Sequence, residues 1–169
     1  MPTILVTGGC GFIGSHTSLV LLEKGYNICI IDSNINSDFK VVKNIEKPLD
    51  HSRKNGTIKM IKGDVRNEII LEKIFSYYEE INKRICAVIH FAGLKSIEKS
   101  NKSPLQYWDV NVKGTLQLIK IMEKHSCFTI VFSSSATVYG VSNKSPINED
   151  GLIKPINTYG KTKAVIEQI

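Results

Sequence analysis

Short runs of isoleucine and valine recur along the chain at near-even intervals, and no other feature narrows its possible folds so far. They are Ile4-Leu5-Val6, Ile28-Cys29-Ile30-Ile31, Ile58-Lys59-Met60-Ile61, Ile85-Cys86-Ala87-Val88-Ile89 and Thr129-Ile130-Val131-Phe132. Each has the length of a strand, and branched side chains suit a pleated surface better than a helix. Most lack polar alternation, as expected where helices cover both faces of a parallel sheet. Helical stretches lie between them. Ser15 to Lys24 stops at Gly25, which suits a left-handed cap. Asn67 to Ile81 places Ile70, Ile74, Tyr77 or Tyr78 and Ile81 along one stripe. A longer helix opens after Ser103 as N-cap, with Pro104 at its first position, and runs through Leu116, Ile119 and Ile121 towards His125. A last helix starts near Thr158. The polar, lysine-rich span from Ser33 to Gly56, broken by Pro48, predicts only a partial helix. Alternation of this kind, with right-handed crossovers, makes a doubly wound α/β fold with a parallel sheet. One domain covering residues 1–169 is expected from the length.

In such a sheet, ligands sit at the carboxyl ends of the strands, so the residues just after each apolar run are the ones to inspect. After the first run, Gly8, Gly11 and Gly14 are spaced three apart and lead into a helix. Glycines are needed there because side chains on the turn would keep backbone N–H groups away from a pyrophosphate, which also favours the positive end of a helix. The second run ends in Asp32, roughly twenty residues further on. Its carboxylate can accept hydrogen bonds from the adenine-side ribose and would repel a 2′-phosphate, which favours NAD over NADP. A turn cap within Asp32-Ser33-Asn34 is the alternative for that residue. Asp64, after the third run, can receive the adenine amino group or close an Asx-turn.

Composition narrows the remaining choices. The 22 Lys and Arg against 16 Asp and Glu give a charge of +6, but the basic residues are scattered among acids rather than gathered in a tail or interleaved with aromatics. They predict a solvated surface, with no nucleic-acid partner. No run approaches the roughly 20 apolar residues of a membrane span. Cys10, Cys29, Cys86 and Cys127 never come within metal-ligand spacing, so no metal is expected. They are expected to be buried as small apolar side chains, which suits a reducing cytoplasm. No signal peptide is expected, since the first apolar run meets glycines at once.

Tyr159 and Lys163 stand four apart on the last predicted helix and point to one side of it. A lysine cation near a phenol favours the phenolate, which makes tyrosine a usable base near neutral pH. Ser133-Ser134-Ser135, at the end of the fifth run, supplies hydroxyls nearby in sequence order. Together these segments resemble the extended short-chain dehydrogenase/reductase family. The resemblance rests on Thr7-Gly8-Gly9-Cys10-Gly11-Phe12-Ile13-Gly14-Ser15-His16, Asp32-Ser33-Asn34 with Asn36-Ser37, and His90-Phe91-Ala92-Gly93-Leu94-Lys95. It continues through Asn111-Val112-Lys113-Gly114-Thr115, Phe132-Ser133-Ser134-Ser135-Ala136-Thr137-Val138-Tyr139-Gly140 and Tyr159-Gly160-Lys161-Thr162-Lys163, and covers essentially the whole chain.

The resemblance implies a Rossmann fold and an NAD-dependent isomerase that interconverts UDP-galactose and UDP-glucose. It implies NAD contacts at Phe12, Ile13, Asp32, Ser33, Asn34, Asn36, Ser37, Asp64, Val65, Phe91, Ala92, Gly93, Lys95 and Asn111, with Tyr159 and Lys163 at the nicotinamide half. Lys95, Ser135 and Tyr159 would meet the sugar. From the residues alone, a surface lysine is the alternative for Lys95, and the Asn111 amide is equally a partner for backbone. Related sugar-nucleotide dehydratases carry an Asp-Glu pair after the hydroxyl residue; Ala136 and Thr137 stand there in this chain, and neither moves that proton. By the same resemblance, Tyr159, with Ser135, takes the proton of the sugar 4-hydroxyl while NAD holds a hydride from C4 for one turnover. A homodimer is implied as well, and the family continues beyond Lys163 into a smaller substrate-binding domain. The expectation is therefore an amino-terminal part of such an enzyme. The competing expectations are an NAD-binding piece without catalysis and an epimerase for another nucleotide sugar.

Overall fold

A computed structural model describes residues 1–46, 56–141 and 145–169. They form two compact units, Met1–Ala92 with Gln117–Ser133 and Gly93–Leu116 with Ser134–Ile169. The first holds the sheet. Strands β1 (Thr3–Thr7), β2 (Asn27–Asp32), β3 (Ile58–Lys62), β4 (Ile85–His90) and β5 (Ile130–Phe132) pair in the order β3-β2-β1-β4-β5, every pair parallel. This is the doubly wound, Rossmann-type arrangement expected from the alternation. β1 and β2 are buried at every position, which is why they carry no polar alternation. At the edge, β3 turns Lys59 and Lys62 to solvent, and Lys59 Nζ stands 3.8 Å above the Tyr77 ring.

The pleat divides the core in two. Leu5, Cys29, Ile31 and Val88 face helices α3 (Glu68–Glu80) and α6 (Gly114–Lys124), meeting Leu71, Ile74, Phe75, Leu118 and Ile121. Ile4, Val6, Ile28 and Ile30 point the other way, onto Leu22 of α1 (Phe12–Glu23) and Ile45 of α2 (Lys40–Glu46). His125, just past α6, places its two ring nitrogens 3.3 Å from Glu72 and 3.0 Å from Glu79 and stacks on Phe75, tying α6 to α3.

Several boundaries differ from the sequence expectation for identifiable reasons. α1 starts at Phe12 rather than Ser15, because Gly11 is its extended N-cap and the helix opens inside the glycine run. Its end is as expected: Gly25 has φ +88, its N–H bonds to Leu22 O and that of Tyr26 to Leu21 O, a Schellman closure. The buried stripe of α3 is Leu71, Ile74, Phe75 and Tyr78; Tyr77 and Ile81 are each 40% exposed. α2 is the partial helix expected after Ser33, while the predicted break at Pro48 lies outside the described residues. Cys10, Cys29 and Cys127 are buried and Cys86 is exposed, at the point where the β1–β4 register shifts between Ile85 and Ala87.

The second unit is helical. It contains α4 (Ile97–Lys102), α5 (Pro104–Tyr107), a π-helical stretch Trp108–Lys113, the first turn of α6, a 3₁₀ turn Ala136–Tyr139 and α7 (Thr158–Ile166). The single long helix expected after Ser103 is thus continuous but π-wound at its middle, and the Ser103 side chain makes no capping bond. Among the described residues, no helix is long and apolar enough to cross a membrane.

Candidate functional site

In the sheet unit, the turn after β1 is pinned from inside. Gly8 N–H bonds to Ile31 O at 2.8 Å and Gly11 N–H to Gly8 O at 3.0 Å. Gly8 has φ +67, and a Cβ there would lie 2.7 Å from Ala92 N. A Cβ on Gly14 would lie 2.5 Å from Gly8 O. The turn is therefore a bare backbone cradle at the N-terminus of a 12-residue helix, the shape and polarity that a pyrophosphate requires. Phe12 and Ile13, in that first helical turn, are 78% and 59% exposed.

Asp32, at the end of β2, is only 7% exposed and already works as an organiser. One carboxylate oxygen accepts Cys10 N–H at 3.0 Å; the other accepts Asn34 N–H at 2.8 Å and Ser37 Oγ–H at 2.7 Å. The turn-cap alternative is therefore realised, and the same carboxylate ties the glycine turn to the Ser33–Ser37 loop. Asn34 takes φ +60 in that loop, and Asn36 is exposed. Asp64, after β3, is gripped by Arg66 through the backbone N–H (2.9 Å), Nε (3.0 Å) and Nη2 (2.6 Å), while Val65 is buried. Phe91 and Ala92 are held by N–H bonds to Thr7 O (3.0 Å) and Thr7 Oγ1 (3.2 Å). Cys10 has its thiol pushed up to about 12, first by burial and then by the Asp32 charge, so it is no nucleophile.

In the helical unit, Ser135 caps the 3₁₀ turn, and its Oγ accepts Thr137 N–H at 3.2 Å and Thr137 Oγ1–H at 2.9 Å. Its neighbour Ser134 donates to Glu167 Oε1. Tyr159 stands in the first turn of α7, where each free N–H has been given a partner. Asn157 Oδ1 takes that of Gly160 (2.8 Å), and the fully buried Ser100 Oγ takes that of Tyr159 (3.1 Å). Lys163 follows one turn later, 5% exposed, with Nζ 5.9 Å from the Tyr159 ring centre. Burial pushes its amine down to about 8, so it keeps its charge at neutral pH and loses it just above.

Asn111, in the π-helical stretch, is 2% exposed and bonds backbone: Oδ1 accepts Leu94 N–H (2.8 Å), and Nδ2 donates to Leu94 O (3.0 Å) and Thr162 Oγ1 (3.2 Å). It thereby fixes the loop that carries Gly93 and Lys95, both exposed. Sequence reasoning does not single out Arg66, Ser100 or Thr162, and marks Thr137 only as lacking an acid. Only Arg66, two residues after a candidate aspartate, carried a readable signal. Among the described residues, no cluster of His, Cys, Asp and Glu could hold a metal ion.

The family model described as GDP-mannose 4,6 dehydratase matches residues 5–169. The chain is 45% identical to the bifunctional UDP-glucose 4-epimerase and UDP-xylose 4-epimerase 1 of Pisum sativum, over 98% of this chain and 46% of that protein. It is 44% identical to the UDP-glucose 4-epimerase of Dictyostelium discoideum, over 98% of this chain and 45% of the relative. Among solved structures, it superposes with a TM-score of 0.88 on the UDP-glucose 4-epimerase of Bifidobacterium longum in complex with NAD+ and UDP, at 41% identity over 98% of this chain and 47% of that one. The chain thus spans a little under half the length of these relatives.

Proposed function

Since the chain belongs to the family described as GDP-mannose 4,6 dehydratase, we propose that its reaction is the interconversion of UDP-galactose and UDP-glucose by an NAD-dependent UDP-glucose 4-epimerase. The observation that carries the choice of chemistry is the pairing of Tyr159 with the buried Lys163 amine, beside a Ser135-Ala136-Thr137 segment that has no acid for dehydration. The epimerase relatives at 44–45% identity support the same choice.

NAD fits the residues present. The glycine cradle leaves room for its pyrophosphate, Asp32 carries a charge suited to the ribose hydroxyls and averse to a 2′-phosphate, and Asp64 with Val65 would take the adenine. Phe12, Ile13, Ser33, Asn34, Asn36, Ser37, Phe91, Ala92, Gly93 and Lys95 complete the proposed contacts, with Asn111 acting through the Gly93–Lys95 loop. When bound, NAD supplies reversible hydride transfer at sugar C4.

The chain's own groups manage the proton. Tyr159, with the charged Lys163 amine 5.9 Å from its ring centre, takes the proton from the sugar 4-hydroxyl and later returns it. Thr137 donates to Ser135 Oγ through both N–H and O–H, so the serine's own proton is left to hydrogen-bond the C4 oxygen. Lys95 would steady the UDP-sugar by charge. A cytoplasmic homodimer goes with this reading. Its support is the exposed Ile97, Leu105 and Trp108 of the helical unit, at 45%, 83% and 36%, and four free cysteines.

Protein loaded with NAD and mixed with UDP-galactose is expected to form UDP-glucose while the absorbance of reduced nicotinamide rises and falls. Faster conversion of UDP-xylose would move the assignment to another sugar. NAD retained with no sugar converted would instead mark a dinucleotide-binding module without turnover.

A further inference from the structure

Asp64 and Arg66 are joined more tightly than a turn between a strand and a helix requires. The turn is already closed by its backbone: Gly63 N–H bonds to Asp32 O at 3.0 Å, and Asn67 N–H to Asp64 O at 2.9 Å. Asn67 then caps α3 by accepting Ile70 N–H. On top of this, Arg66 lays its guanidinium fork against the Asp64 carboxylate, Nε to Oδ1 and Nη2 to Oδ2, while its N–H adds a third bond. Both side chains are about a third exposed, 33% and 29%, and an ion pair so placed contributes little to folding, about 0–1 kcal/mol. What a two-pronged grip does determine is orientation. It holds the carboxylate plane in one setting.

We propose that Arg66 is a positioning residue for purine choice: it presents Asp64 as a fixed, charged acceptor that selects a 6-amino purine over a 6-oxo purine. The proposal rests on the reading of Asp64 as the adenine-binding group of an NAD site. An adenine amino group donates to a carboxylate, whereas the carbonyl of hypoxanthine meets it acceptor to acceptor. Discrimination of this kind is strong only while the acceptor can neither turn away nor take in water, and Arg66 supplies that restraint. Asp64 and Asp32 end neighbouring strands, paired next to one another through Asp32 and Lys62, so base and ribose would be read from adjoining positions of one sheet edge.

The test is calorimetric titration of the purified protein with NAD and with nicotinamide hypoxanthine dinucleotide, which differs only at purine position 6. The unsubstituted chain is expected to prefer NAD by about tenfold or more, the value of a hydrogen bond to a charged group. Arg66→Leu should bring the preference down to about twofold, and Arg66→Lys, which keeps the charge without the fork, should fall between. Melting temperatures of all three should agree within a few degrees, so that a lost preference cannot be laid to unfolding. An unchanged preference in Arg66→Leu, or equal binding of the two dinucleotides by the unsubstituted chain, would overturn the proposal. Binding of neither dinucleotide would sink the NAD reading itself, and the proposal with it.

Discussion

Tyr159→Phe is expected to lower conversion of UDP-galactose by roughly 10²- to 10⁴-fold, the range supplied by a positioned general base. The substitution removes one oxygen. The aromatic body stays, and the backbone bonds that seat it, from Tyr159 N–H to Ser100 and from Thr162 Oγ1 to Tyr159 O, do not involve the phenol. NAD affinity should therefore move little, and titration alongside turnover separates lost chemistry from lost cofactor. Lys163 sets the alkaline side of the rate profile. Burial lowers the Lys163 amine from the ordinary 10.5 to about 8, so its charge is present below that pH and lost above it. The cation beside the Tyr159 ring goes with it, and the rate should turn over near pH 8 rather than near the ordinary lysine value. Lys163→Met should be slow throughout and lack that turn. A Tyr159→Phe protein that kept most of its rate would remove Tyr159 from the mechanism.

Gly8→Ala should weaken both dinucleotide binding and the fold. Two effects coincide at this position. A left-handed φ of +67 is strained for any residue with a Cβ, and that Cβ would sit 2.7 Å from Ala92 N and 2.9 Å from Ala92 Cα and Phe91 C. None of those atoms belongs to a flexible side chain, so β1 and β4 must part at their ends. Unfolding in urea should show a loss of about 2–4 kcal/mol, the sum of a strained backbone and a displaced strand end. NAD affinity should fall by more than about tenfold. Gly11→Ala is the milder comparison, because its Cβ meets only Gly8 O, at 3.2 Å. Wild-type affinity in Gly8→Ala would show that the cradle does not hold the cofactor.

The parts of this molecule that were legible in the amino-acid chain are those where one local preference faces no rival. β1 and β2 announce themselves because both faces are buried and every position can be apolar. β5 is shorter than the apolar run by Thr129, because edge strands need little apolar length, and Ile130 and Val131 are 37% and 57% exposed. The start of α1 was misplaced because glycine argues against helix, whereas here the cradle needs Gly14 inside the first turn. In α3, Ile70, Ile74 and Ile81 trace a helical stripe as regular as the buried one, and only tertiary packing chooses Leu71, Ile74, Phe75 and Tyr78.

The site divides the same way. Gly8, Asp32, Tyr159 and Lys163 could be read from spacing because each does its work with its own atoms. Ser100, Thr162 and Arg66 act by holding something else, and nothing in a run such as Glu98-Lys99-Ser100-Asn101 marks one serine as the buried acceptor for a helix 59 residues later. Asn111, open between backbone and ligand in the sequence, makes three bonds to Leu94 and Thr162 from within the π-helical stretch.

In the proposed epimerisation a hydride leaves sugar C4 and comes back to it without passing through water. Incubation of the protein with NAD and UDP-galactose deuterated at C4 follows that hydride. UDP-glucose formed in ordinary water is expected to retain the deuterium at C4; UDP-glucose carrying solvent hydrogen at C4, or no UDP-glucose from protein that has bound NAD, would rule the hydride shuttle out.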